Sequence, residues 1–313
     1  MTQSGKLASA AFLAALVATG SLAAEPPRQA APQNRGHAFA AADYTQGKVL
    51  VVSAEGRVEW EHEAPNSNDL WVLPSGNLLF TTGHGVLEVT RSQQVVFKYE
   101  SQSEIYACQR LPNGNTFVGE CTAGRLIEVA PDGKIVSALR LVPPGQDGGH
   151  TYMRNARHLS NGHFLVAHYG LDVVREYDAT GRVVFQVPAP GGPHSVVRLP
   201  HSHTLIACGD QRGEQARVFE VDRKGRTVWE VKGDDLPGAS LKFMGGLQRL
   251  PNGNTVITNW LGHGHFGEAP LIIEVTPDKR VVWTYADHQA MKTASSVQLL
   301  DVPGNAVKGE ILH

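Results

Sequence analysis

Cysteine is nearly absent: three residues in 313 allow at most one disulfide, so no cysteine framework holds this chain together. There is no Cys-x-x-Cys pair and no His-x-x-x-His, which removes the usual compact metal-binding signatures. No glycine-rich phosphate loop follows a strand and opens a helix. Charge of one sign is also missing. With 28 basic against 30 acidic residues and no basic run, the chain has no electrostatic footprint for nucleic acid, and no nucleic-acid partner is expected. After the first two dozen residues no apolar run approaches the roughly 20 residues that span a bilayer, so no membrane span is expected.

What is present starts with an address. Lys6 precedes the apolar stretch from Leu7 to Ala18, then Gly20-Ser21-Leu22-Ala23-Ala24 and Glu25-Pro26-Pro27. That order is a signal peptide with cleavage after Ala24, and no cysteine at the site suggests a lipid anchor. The expectation is a periplasmic or secreted monomer. Residues 25–35, rich in Pro, Ala and Gln, read as a disordered leader, and residues 36–313 as the folded domain.

Repeats set the architecture. A turn element recurs at Leu73-Pro74-Ser75-Gly76-Asn77, Leu111-Pro112-Asn113-Gly114-Asn115, Leu159-Ser160-Asn161-Gly162-His163, Leu199-Pro200-His201-Ser202-His203 and Leu250-Pro251-Asn252-Gly253-Asn254. The intervals of 38, 48, 40 and 51 residues match four-stranded propeller blades. Each turn joins two apolar runs. A third run ends at Glu88, Glu128, Glu176, Glu220 or Glu274, and a fourth carries Phe97, Phe185, Trp229 or Trp283 in four units. Val49 to His62 supplies third and fourth strands with no hairpin before them, and Ser295 to Leu300 supplies the missing inner strand. The fold expected is all-β: a six-bladed β-propeller of four-stranded antiparallel blades, its ring closed by strands from both termini. The repeated glutamates read as structural.

Loop lengths choose a face. The long connections, Pro143 to Gly149, Asp210 to Ala216, Gly233 to Lys242 and Leu261 to Pro270, follow second or fourth strands and therefore gather on one side. If Leu111 opposes Thr116, the fourth residue before each repeat Leu faces the ninth after it. That register pairs Asp69 with Thr82, Ala107 with Glu120, Asn155 with His168, Ser195 with Cys208 and Gly246 with Asn259. One step outward lie Tyr106, Arg154, Tyr169, His194 and Trp260, with His150 and Tyr152 just upstream of Arg154.

The chemistry expected there is histidine-rich, since His84, His150, His168, His194, His263 and His265 fall on or near this rim. His194 and His168 are candidate acids, bases or nucleophiles near neutral pH, with Asn155 in support. His150, His168 and His194 are candidate ligands for a divalent metal, the cofactor considered. Arg154 offers a planar fork for an anion. Tyr152, Glu120, Asn259 and Trp260 complete the substrate-binding candidates, Trp260 as a platform for a sugar or aromatic ring and Glu120 as a carboxylate that orients a histidine, as a general base, or simply as the partner of Arg125. A direct disulfide between Cys108 and Cys121 is not expected.

The phrases Leu-Pro-Asn-Gly-Asn-Thr, Arg-Val-Phe-Glu-Val-Asp-Arg-Lys-Gly-Arg-Thr-Val-Trp-Glu and Val-Gln-Leu-Leu resemble the blades of bacterial arylsulfotransferases and, more loosely, quinoprotein propeller repeats, from Val49 to Leu300. The resemblance implies a propeller. It also places His194 where those enzymes have the histidine that accepts a sulfuryl group, and Asn155 where they have an asparagine. The chain departs from the pattern at Met153 and His168, which stand where the family has a histidine and an arginine, and it lacks the family's extra amino-terminal domain. The function expected is an exported propeller enzyme acting on a small polar, anionic or sugar-like substrate by elimination, hydrolysis or group transfer. The alternative is a non-catalytic scaffold that binds a protein or glycan through the same face.

Overall fold

The computed structural model describes Met1, Thr2 and residues 36–210 and 215–313, so the expected signal peptide, its cleavage site at Ala24 and the leader at 25–35 lie outside the described residues. Twenty-four strands form six four-stranded antiparallel sheets. The first strands of the sheets pack against one another around a common axis, as a propeller requires. Five blades run in chain order. The sixth joins the last strand, β24 (Ser296–Leu299), to the first three, β1 (Phe39–Asp43), β2 (Lys48–Val52) and β3 (Val58–Glu63). The closing pairs run from Phe39 opposite Leu299 to Ala42 opposite Ser296. The sheet edges that would otherwise face each other across a gap are thereby consumed.

The sequence pattern missed β1. Its Phe-Ala-Ala-Ala-Asp run lacks the β-branched residues that mark a strand. All five of its residues are nevertheless buried, because small side chains suit a strand sandwiched between neighbouring blades. Among the described residues, no helix is long and apolar enough to cross a membrane.

The register is one residue from that expected. In the Leu111 turn, the Leu111 amide donates to the Asn115 carbonyl at 2.9 Å and the Gly114 amide to the Leu111 carbonyl at 3.0 Å, with Gly114 at φ +87°. This is a three-residue loop whose last member takes the left-handed conformation that glycine tolerates. Arg110, not Leu111, therefore faces Thr116. Accordingly Ala107 faces Gly119, Asn155 faces Ala167 and Ser195 faces Ala207, while the Thr81 amide bonds the Asp69 carbonyl. Further along the same ladders, bulges shift the pairing by one more residue. Glu120 faces Ile105 with Tyr106 left over, Cys208 faces Pro193 with His194 left over, and Asn259 faces Met244 with Gly245 and Gly246 together opposite Thr258. A bulged residue leaves the ladder and is re-aimed, here at the upper end of the axis.

The lower face is tied by its repeated glutamates. Glu88 accepts from Asn77 and from Arg110 of the next blade; Glu176 accepts from His163 and Arg198; Glu220 from His203 and Arg249; Glu274 from Asn254 and His37. Each of these four carboxylates thus fastens its own turn to a neighbouring segment, whereas Glu128 accepts from Asn113 and Asn115 of its own turn. Fourth-strand aromatics close the seams further out: Arg110 lies 4.9 Å over Phe97, Arg198 lies 5.3 Å over Phe185, and the Trp229 indole donates to the Pro277 carbonyl.

A candidate axial anion-binding cavity

Five residues before each repeat Leu, at the start of the six first strands, stand Asn68, Tyr106, Arg154, His194, Gly245 and Ser295. The first four line a cavity of about 420 Å³ at the upper end of the axis. Gly245 has no side chain to offer, and Phe243 fills that sector instead. Trp260 and His263 from the long loop after β21 (Thr255–Asn259), and Tyr44 from the turn between β1 and β2, complete the wall opposite His150, Thr151 and Tyr169.

Arg154 is the chemical centre of this cavity. It is 7% exposed, and its guanidinium carbon lies 4.3 Å over the Tyr106 ring and 4.6 Å over the Tyr169 ring. Its Nη1 donates to the His150 carbonyl and its Nη2 to His150 Nε2 at 3.2 Å. The His150 Nδ1 in turn faces Glu104 at 2.8 Å, so the proton between them sits on Nδ1 and leaves Nε2 as an acceptor. Among the described residues no carboxylate pairs directly with Arg154, and its Nε makes no hydrogen bond. A buried cation without a counter-ion is costly, and the two ring faces offset only part of that cost.

His194 stands beside it, its ring edge-on to Tyr169 and Phe243 at 6.0 and 5.3 Å. Burial pushes its pKa down to about 3, and the charges of Arg154 and His263 add to the effect. Its imidazole is therefore neutral across the ordinary pH range. Trp260 is fixed by a bond from its amide to the Phe243 carbonyl at 2.6 Å, and its indole meets Phe243, His263 and Tyr44 edge-on. A Cβ at Gly262 would collide with that indole, so the chain needs glycine there for Trp260 to lie as it does.

The other expected site residues lie elsewhere. His168 is fully buried: its Nδ1 meets the Tyr152 carbonyl at 3.1 Å and its Nε2 the Tyr177 hydroxyl at 2.7 Å. Burial lowers its pKa to about 4 despite the Tyr152 bond, so it is a neutral pin with both nitrogens engaged. Tyr152 packs its ring on His168 and donates its hydroxyl to the Leu141 carbonyl. Glu120 points into the seam toward the previous blade, accepting from Tyr99, Ser101 and its own Arg125. Burial opposes its charge, but these donors outweigh it and hold its pKa below the usual range. Asn155 is 4% exposed with an unpartnered Oδ1 and does not line the cavity. Asn259 accepts from the Lys242 and Phe243 amides and donates to the Ser240 and Pro270 carbonyls, clamping the two loops that carry the aromatic wall.

The metal set does not converge. His168 has no free nitrogen, and the Nε2 of His150 already faces a guanidinium. No group of three or more His, Cys, Asp or Glu side chains suited to a metal occurs among the described residues. All three cysteines are buried, and none forms a disulfide. Tyr44, Asn68, Thr151 and Phe243 were absent from the expected set. Asn68 was discoverable, because it occupies the same place before Leu73 as His194 does before Leu199.

No family model matches the chain, and no curated protein matches it. Among solved structures it is similar to a protein of unknown function from Bacteroides caccae, with TM-score 0.74 and 23% identity over 84% of this chain and 98% of that one. It is also similar to a streptogramin B lyase, with TM-score 0.55 and 15% identity over 82% of this chain and 84% of that one. A virginiamycin B lyase from Staphylococcus aureus gives TM-score 0.53 and 16% identity over 81% and 85%. At these identities the likeness is one of fold.

Proposed function

We propose that this chain is an exported propeller enzyme that binds a small organic anion in the axial cavity, with Arg154 holding the anion and His194 accepting a proton from the bound molecule. The observation that carries the reading is a buried arginine at the centre of a cavity, with no carboxylate paired to it among the described residues. Elsewhere in the ring, the buried Arg157 and the partly buried Arg110, Arg198 and Arg249 are matched by acids, whereas Arg154 is held in place by two rings and by His150. That arrangement is preorganised for a charge supplied from outside.

His194 gains its role from the same charge. In the empty cavity burial and Arg154 keep the imidazole neutral. An anion on Arg154 cancels the second of these effects, raises the affinity of His194 for a proton, and lets it act as a general base toward that ligand alone. Two of the similar structures bear the names of lyases. The resemblance to arylsulfotransferases supports His194 as a reacting group but gains nothing from Asn155, which stands outside the cavity.

The test is a thermal-shift screen of small carboxylates, sulfonates and phosphates, followed by turnover assays on whatever binds. Ligands should raise the unfolding temperature of the wild type but not of Arg154→Gln, and His194→Asn should bind them without turning them over. Equal stabilisation of the Arg154→Gln protein refutes the reading. Stabilisation by glycans or by a protein partner, without any small anion, would establish the scaffold alternative.

A further inference from the structure

Taking the anion-binding reading as its footing, we propose that the cavity is selective for planar aromatic monocarboxylates over sugars and phosphate monoesters. Three features of the lining lead there. First, the charge is single among the described lining residues: Arg154 is their one permanent cation, and no Lys accompanies it. A carboxylate matches one guanidinium, but a phosphate monoester above its second pKa of about 6 brings nearly two charges into an apolar enclosure.

Second, the walls are rings. Tyr44, Tyr106, Tyr169, Phe243 and Trp260 all face the cavity, and the Phe243–Trp260 pair is fixed by backbone bonds and by the Asn259 clamp. Such a wall stabilises a flat apolar body by burial and edge-on contact. Third, the groups a sugar needs are scarce. Among the described lining residues Asn68 is the only side-chain amide and there is no Asp or Glu, so the several hydroxyls of a pyranose would meet one amide and no carboxylate, only hydroxyls and imidazoles set among rings beside Arg154. The volume of about 420 Å³ suits a substituted single ring.

Titration calorimetry on the whole protein at pH 7.5 decides this, with benzoate, acetate, benzyl alcohol, phenyl phosphate and glucose as probes. Benzoate should bind at least about ten-fold more tightly than each of the others, roughly 1.4 kcal/mol. Phe243→Leu, and separately Trp260→Leu, should bring benzoate down toward acetate while leaving acetate unchanged. Acetate, phenyl phosphate or glucose matching benzoate in the wild type overturns the selectivity. If those anions also bind more weakly to Arg154→Gln, the anion site itself stands. Absence of binding by any anion, or binding indifferent to Arg154→Gln, overturns both.

Discussion

Arg154 and Arg157 lie three residues apart on one inner strand, are 7% and 6% exposed, and live in opposite circumstances. Arg157 grips Asp69 with both Nη atoms, at 2.7 and 2.9 Å, and donates its Nε to the His313 carbonyl at 2.9 Å. Asp69 also takes the Cys108 amide, and the Trp71 ring packs on the guanidinium at 5.0 Å. Both charged groups of that lower, central pair are answered from within the chain. At the upper end Arg154 has aromatic faces and a histidine but, among the described residues, no acid. The lower cluster ties blades and tail together, and the upper one is built to be completed by something else.

The largest effect that would break this comparison is at Arg157. Arg157→Met strands Asp69 as a buried, unpaired carboxylate and should cost about 3–5 kcal/mol, read as the loss in denaturant midpoint. A loss below about 1 kcal/mol would remove the structural half of the contrast.

Next in size is Gly262→Ala. The added methyl forces the Trp260 indole off the cavity wall, with an overpacking cost of about 1–3 kcal/mol. Tryptophan fluorescence should shift and benzoate affinity fall, while the lower cluster is untouched. An unchanged emission spectrum and affinity would show that Trp260 is no part of the site.

The smallest effect sharpens what a paired histidine does. His37, just before the closing strand, bonds Glu274 at 2.9 Å and Asp301 at 2.8 Å. Its pKa is raised above 6.5, chiefly by the Glu274 bond, against the opposing pull of burial. The protonated form is favoured on folding, so its contribution is complete below about pH 6.5 and is lost as pH rises through the folded value. Wild type should therefore lose stability relative to His37→Gln on going from pH 6 to pH 8, by less than about 1 kcal/mol because the site is partly open to solvent. Parallel pH profiles for the two proteins would contradict it.

The sequence made the blades legible because each depends on local chemistry: a Leu-Pro-x-Gly-Asn turn, a glutamate that answers the turn's Asn or His, and an aromatic in the outer strand. The split blade was legible as a shortage of strands, and only Phe39–Asp43 escaped, having alanines where a strand signal is sought. The site was half legible. Arg154, His150, His194 and Trp260 do meet, but His168, Asn155 and Asn259 do not join them, because side chains alternate along a strand and the real turn is one residue shorter than assumed. The bulges that turn Tyr106 and His194 to the axis leave no mark in composition. The burial of His168 is decided by Tyr152 and Tyr177, residues that reach it only once the blade has formed.

The unfolding free energy of Arg154→Met, measured beside that of the wild type without ligand, tests the central claim most directly. If Arg154 is held for a ligand, removing an unmatched buried charge leaves stability unchanged or raises it by about 1 kcal/mol or more, and stabilisation by benzoate disappears. A loss of about 3 kcal/mol or more, comparable to that of Arg157→Met, would show that Arg154 is a structural ion like its neighbour and that the cavity above it has no claim to function.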